Sequence, residues 1–231
     1  MSAKSDILAS VRAAIAQSQP AAPEAVVVRD YVTRGAEPAG SELVVAQLVE
    51  TLEDYHAHVS VVTAEEVAGA IDDFLEEMGA RTVVVPDGLP AQWKNAAQGQ
   101  IGRGRGRRRS ERREVREDSP ATPLDTEDLA VIDAVVTSSR TAISPTGTIV
   151  LDGEPDQGRR VISLLPDVLV CVVAASTVEP TVPQAVAVLA AHPERPLTWI
   201  AGPSATSDIE LVRVDGVHGP RTLCVVIATD L

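Results

Sequence analysis

The sequence predicts an α/β fold, a mostly parallel sheet with flanking helices. Three observations carry that expectation. Short unbroken aliphatic runs recur, as in Thr82-Val83-Val84-Val85 and Leu223-Cys224-Val225-Val226-Ile227, and runs of this kind are strands buried on both faces. Helically spaced segments with recognisable caps lie between several of them. Hydrophobic residues make up 45% of the 231, yet only five side chains are aromatic, so the core must be aliphatic.

The elements follow in order. Ile7, Leu8, Val11 and Ile15 fall at helical spacing, which predicts a helix over residues 4–17. A Pro/Ala-rich connector runs from 19 to 40. Residues 1–40 therefore read as an N-terminal helix with an extended connector, and 41–231 as the α/β body. Ser41 is expected to cap a second helix, marked by Leu43, Val44, Leu48, Val49 and Leu52 and running to about His56. A strand over 58–62 precedes the capping box Thr63-Ala64-Glu65-Glu66, which opens a helix through Met78 that Gly79 stops. The next strand ends at Pro86-Asp87-Gly88. Later strands are expected at 134–137, 148–151, 168–173, 198–201 and 223–228, with helices near 126–132, 182–189 and 208–212.

Residues 102–123 break the pattern. Eight of the 18 arginines lie between Arg103 and Arg116, and Val115 and Ala121 are the apolar side chains of the stretch, so it reads as an arginine-rich loop without core. Three readings stay open: a solvated loop that partly neutralises an acidic body, a contact for RNA or acidic partners, or a locally displaced reading frame.

Composition excludes several functions. A net charge of −13 repels phosphate backbones and argues against nucleic-acid binding by the whole surface. Cys171 and Cys224 sit inside apolar runs and read as buried thiols; with no CxxC or Cys/His pair, neither a zinc site nor an iron–sulfur cluster is expected in this chain. No metal or other cofactor is expected. No apolar run is long enough for a membrane span and residues 1–17 lack a signal-peptide core, so a cytoplasmic protein is expected. GxGxxG, P-loop and G-x-S-x-G signatures are absent from the sequence.

Three loops carry candidate chemistry. In Gly202-Pro203-Ser204-Ala205-Thr206-Ser207-Asp208-Ile209-Glu210, Ser207 and Glu210 form a capping box, and Ser204, Thr206 and Ser207 offer hydroxyl donors at a helix start beside Asp208. In Asp215-Gly216-Val217-His218-Gly219-Pro220-Arg221, His218 is a candidate general acid or base and Arg221 a clamp for carboxylate or phosphate, with Gly219 permitting close backbone approach. In Ser144-Pro145-Thr146-Gly147-Thr148, a tight turn could present Thr146, Gly147 and Thr148 to an anion, with Arg159 and Arg160 downstream. These turns are expected to converge at the carboxyl edge of the sheet into one anion-binding hollow. A lone loop histidine and a capped turn have equally simple structural readings.

These residues resemble a known family. Asp133-Ala134-Val135-Val136-Thr137, the run from Ala142 to Gly153, Gly158-Arg159-Arg160, Leu165-Pro166-Asp167, Thr198-Trp199-Ile200, Gly202 to Glu210 and Gly216-Val217-His218-Gly219-Pro220-Arg221 are similar to the lactate utilization protein C family, built on the LUD domain. Arg29-Asp30-Tyr31 and residues 83–89 fit as well. Two departures stand out: Pro145, where relatives commonly carry an acidic residue, and the arginine-rich insert. The resemblance implies a fold like that of glucosamine-phosphate deaminases, ribose-phosphate isomerases and CoA transferases. It also implies a non-redox role in oxidising L-lactate to pyruvate beside partner subunits that carry iron–sulfur clusters. The alternatives are a stand-alone enzyme on a phosphorylated sugar or acyl thioester, and an interaction protein using the arginine loop.

Overall fold

The structure is a computed structural model, and it describes residues 3–17, 30–100, 112–206, 214–216 and 218–231. Contacts divide the chain into two compact units, 1–32 and 33–231. In the first, α1 (Ala3–Gln17) carries Ile7, Leu8, Val11 and Ile15 on its surface and buries none of its residues.

The second unit holds the rest: α2 (Glu42–Asp54), β1 (His58–Val62), α3 (Val67–Glu77), β2 (Thr82–Pro86), α4 (Ala91–Ala97), β3 (Glu114–Asp118), α5 (Thr126–Leu129), β4 (Ala134–Ser138), β5 (Thr141–Ile143), β6 (Thr148–Leu151), β7 (Val168–Ala174), β8 (Val178–Glu179), α6 (Val182–Leu189), β9 (Thr198–Ala201), β10 (Ala205–Thr206), β11 (Val214–Asp215) and β12 (Thr222–Ala228). Six strands form one sheet in the order β1-β12-β7-β4-β2-β3, and every pairing in it is parallel. The predicted α/β class is the one observed.

The aliphatic runs explain the layers. Alternate residues of a strand face opposite ways. Val84, Val135, Leu169 and Val225 pack on one face with Leu48 and Leu52 of α2, and Val83, Val136, Val170 and Val226 pack on the other with Ile71 and Leu75 of α3 and Trp93 of α4. Burying each such side chain contributes about 1.5–3 kcal/mol, which is how a core nearly free of aromatics holds. A second sheet, β8-β5-β6-β9, lies on the α2 side, and its far face carries α6 through Ile143, Val150, Ala185 and Leu189.

Local signals act as expected at several termini. Gly79 has φ +68°, its N–H reaches Glu76 O at 3.1 Å and the Ala80 N–H reaches Leu75 O at 3.0 Å, a two-bond close to α3 that glycine makes without strain. The Thr63/Glu66 box forms in part: the Thr63 N–H and Oγ1 both donate to Glu66 Oε2, at 3.0 and 2.9 Å, while the helix itself begins at Val67. Ser41 precedes α2 without a side-chain cap, and its hydroxyl is buried without a partner among the described residues. The helix expected near 208–212 lies outside the described residues.

Besides the short strands β5, β8, β10 and β11, which the sequence did not announce, two elements packed in or on the six-stranded sheet differ from expectation. Residues 114–118, assigned above to the arginine-rich loop, form edge strand β3 on β2, with Val115 half-buried and Asp118 fully buried. Charged side chains suit an edge strand because they block further pairing. α4 follows Pro90 without a side-chain cap and is held by Trp93, Ala96 and Ala97 in the core.

Asp133 ties β2 to the turn before β4. Its Oδ2 accepts the Arg81 and Thr82 N–H groups, each at 2.8 Å, and the Thr82 hydroxyl at 2.9 Å. Partial burial raises its carboxyl pKa, but these three bonds outweigh that effect and leave it below the ordinary value. A depressed carboxyl stabilises above its unfolded pKa and loses that contribution as pH falls through the folded one. Asp133→Ala is therefore expected to cost on the order of 1 kcal/mol near neutral pH, and less at about pH 3, when thermal unfolding is compared with the parent chain. An equal difference at both pH values would show that the carboxylate charge contributes nothing.

Candidate functional site

The two candidate loops of the C-terminal third meet, but not where the sequence placed them. β12 runs parallel to β7 with Thr222 opposite Val168, and the Thr222 N–H donates to Asp167 O at 3.0 Å. Residues just before Thr222 must therefore stand at the amino ends of these strands, opposite the carboxyl edge expected above. Ser204 joins the loops there. Its N–H donates to Pro220 O at 2.8 Å, its carbonyl accepts the Gly216 N–H at 2.8 Å, and its Oγ accepts the His218 N–H at 3.1 Å.

Between these loops, β9 and the amino ends of β7 and β12 lies a hollow of about 340 Å³. Arg160, Ser163, Thr198, Ser204, His218 and Gly219 line it, and Leu164, Leu169 and Leu223 supply apolar wall. Arg221 is not among its lining residues. Arg221 Nε stands 3.6 Å from Asp167 Oδ1 with both side chains exposed, an ion pair worth little in water. The His218 imidazole is exposed and has no hydrogen-bond partner among the described residues, so none of the described carboxylates orients it for proton transfer.

A second cavity, about 380 Å³, lies at the true carboxyl edge, where β2 ends at Pro86 beside Asp118 of β3. The chain from Asp152 to Arg160 is laced over that edge. Ser138 donates from N to Asp156 O at 3.1 Å and from Oγ to Asp156 Oδ2 at 2.5 Å, and the Gly88 N–H reaches Pro155 O at 3.1 Å. A side chain at Gly88 would collide with Pro155, so this close approach requires glycine. Asp118, buried at the end of β3, accepts Arg159 Nε at 2.8 Å and the Leu124 N–H at 2.9 Å, and a second bond comes from Arg159 Nη2. That bond set holds the Arg159 guanidinium above its ordinary pKa despite partial burial.

The chain is similar to known proteins over most of its length. The LUD domain family model matches residues 45–228. Lactate utilization protein C of Deinococcus radiodurans is 40% identical over 227 residues, covering 97% of this chain and 95% of that one. This chain belongs to the LUD domain family. A second lactate utilization protein C, from Halalkalibacterium halodurans, is 31% identical over 196 residues, covering 82% and 81% of the two chains. The crystal structure of a DUF162 family protein from Deinococcus radiodurans superposes with a TM-score of 0.63 at 38% identity, over 80% of this chain and 96% of that one. The family drawn from the loop motifs is thus the family found.

In this LUD domain chain the third candidate turn stands apart from both cavities. Thr146 belongs to a 3₁₀ turn, Gly147 follows it at φ +56° against Thr51 of α2, and Thr148 opens β6 opposite Ala201. The Thr146 and Thr148 hydroxyls bond each other at 2.8 Å, and Ser144 Oγ donates to Gln47 Oε1 at 2.9 Å, so this turn fastens the small sheet to α2. Thr206 lies in β10, which pairs with β11. Ser207, Asp208 and Glu210 lie outside the described residues.

Both cysteines are buried and reduced. Cys171 faces α2 and Cys224 faces α3 across the sheet, so they cannot pair with each other. Burial pushes each thiol up to about 12. Among the described residues, no three His, Cys, Asp or Glu side chains gather as a metal site, and no helix is long and apolar enough to cross a membrane.

Sequence reading missed Asp87, Asp118, Glu154 and Ser163, and treated Arg159 and Arg160 as accessory to the Thr-Gly turn. The signal available was positional: Asp87 and Asp118 directly follow or end strands of a parallel sheet, where ligands collect.

Proposed function

We propose that this LUD domain chain takes part in lactate utilization as a non-redox component beside partner subunits that carry iron–sulfur clusters, and that it holds a small carboxylate in the hollow at the amino ends of β7 and β12. The names of its relatives support the pathway. The cysteines support the division of labour, since thiols buried on opposite faces of a sheet cannot reach a shared cluster. One observation carries the carboxylate reading. The Arg160 guanidinium is exposed, has no hydrogen-bond or ion-pair partner among the described residues, and borders a hollow whose other described polar side chains are hydroxyls, an imidazole and the Trp199 indole, with no carboxylate among them. A carboxylate is the partner that fork geometry suits.

Calorimetric titration of the full chain with lactate and pyruvate tests this. Arg160→Ala is expected to weaken binding tenfold or more, about 1.5–3 kcal/mol for a charge-assisted bond, with a smaller effect from Arg221→Ala, whose guanidinium faces Asp167. Equal titrations for the parent chain and Arg160→Ala would remove the carboxylate from this hollow. Co-purification of iron-containing subunits with the tagged chain, and loss of growth on lactate after gene deletion, test the pathway role.

A further inference from the structure

We propose that the carboxyl-edge cavity is a second ligand site, built for a hydroxylated anion larger than lactate. Its position is the first reason: it sits outside the carboxyl ends of β2 and β3 in an open parallel sheet, where such sheets collect ligands. Its volume of about 380 Å³ is within the range of ligand pockets, roughly 300–1,000 Å³. Lactate would fill only a small part of it.

The polar groups decide the chemistry. Asp118 and Arg159 neutralise each other in the wall, and Arg195 answers Glu154. That leaves two uncompensated charges, the Arg160 guanidinium and the Asp87 carboxylate, neither with a side-chain partner among the described residues. Ser163 already donates its hydroxyl proton to Arg160 O at 2.9 Å, so toward the cavity it offers lone pairs. Thr198 is 8% exposed and lines the cavity, where its hydroxyl adds one further polar group. One cation thus faces a set rich in acceptors. A bare anion satisfies the cation alone, whereas an anion carrying hydroxyl groups satisfies both.

The site draws on the same Arg160 guanidinium as the lactate hollow and is told apart from it by residues that only one of the two has. The two cavities share Arg160, Ser163 and Thr198, but Asp87 lines only the carboxyl-edge cavity and His218 only the other. Titrating the full chain with glycerate, 3-phosphoglycerate and acetate, followed by calorimetry, gives the test. Glycerate and 3-phosphoglycerate are expected to bind saturably and at least tenfold more tightly than acetate. Asp87→Ala is expected to bring glycerate down to the acetate level without weakening acetate, and His218→Ala to leave both hydroxylated probes unchanged. Asp87 and His218 are both exposed, so neither replacement disturbs the core. Acetate binding as tightly as glycerate, or an Asp87→Ala chain that keeps the preference, would overturn the proposal. So would loss of glycerate binding in His218→Ala alone, which would assign the probe to the other hollow. Failure of lactate to bind leaves these outcomes readable, because they turn on Asp87 and hydroxyl content.

Discussion

Arg113→Ala is expected to destabilise the chain by about 3–5 kcal/mol, the cost of leaving a buried charge without its partner. Arg113 is 6% exposed and Asp72 1% exposed. Arg113 Nη1 donates to Asp72 Oδ1 at 2.8 Å and to Ala96 O at 3.3 Å, and Nη2 donates to Asp72 O at 3.1 Å. One side chain thus joins the residue before β3 to α3 and to α4. At roughly 2–4 °C per kcal/mol for a chain of this size, the melting temperature should fall by about 6–20 °C. Arg112, next in sequence but exposed, is the control: its alanine variant should stay within about 0.5 kcal/mol. The double replacement Asp72→Leu with Arg113→Met should cost less than either single change, because no charge remains buried. Urea unfolding of these variants measures all of this. A drop of less than about 1 kcal/mol for Arg113→Ala would mean that the pair is solvated in practice.

That pair marks where the sequence stopped being legible. Val83–Val85 and Leu223–Ile227 announced themselves as central strands because nothing but a doubly buried strand needs such runs, and Gly79 announced the end of α3 because few other residues accept its backbone angles. β3 carried no such mark. Its Glu-Val-Arg-Glu-Asp run is the composition of a solvated loop, and its place in the sheet comes from pairing with β2 and from the Arg113 anchor, both distant in sequence. Two of the three candidate loops meet, but at the end of the sheet opposite to the one expected. Strand direction alone decides that end, since a loop entering a parallel strand lies at its amino side and only a loop leaving it reaches the carboxyl edge. His218 enters β12 and Ser204 leaves β9, which runs antiparallel to β6 in the small sheet, whereas Asp87 leaves β2 and Asp118 closes β3.

Asp118→Ala is expected to cost about 3 kcal/mol and to loosen the wall of the carboxyl-edge cavity. Both carboxylate oxygens are engaged: Arg159 holds the group with two nitrogens, and the Leu124 N–H donates to Oδ1 at 2.9 Å. Deletion leaves that amide unsatisfied, while Arg159, one-third exposed, can turn toward water. Arg159→Ala should be at least as damaging, because it strands a fully buried carboxylate. Asp118→Asn separates the contributions, keeping an acceptor for Leu124 while removing the charge that orders Arg159, and should cost about half as much as alanine. A double-mutant cycle on Asp118 and Arg159 is expected to give a coupling of about 1–3 kcal/mol. Coupling near zero would mean that the guanidinium is held by Leu124 O, which Arg159 Nη2 also reaches at 2.8 Å, and that the carboxylate serves only the backbone turn.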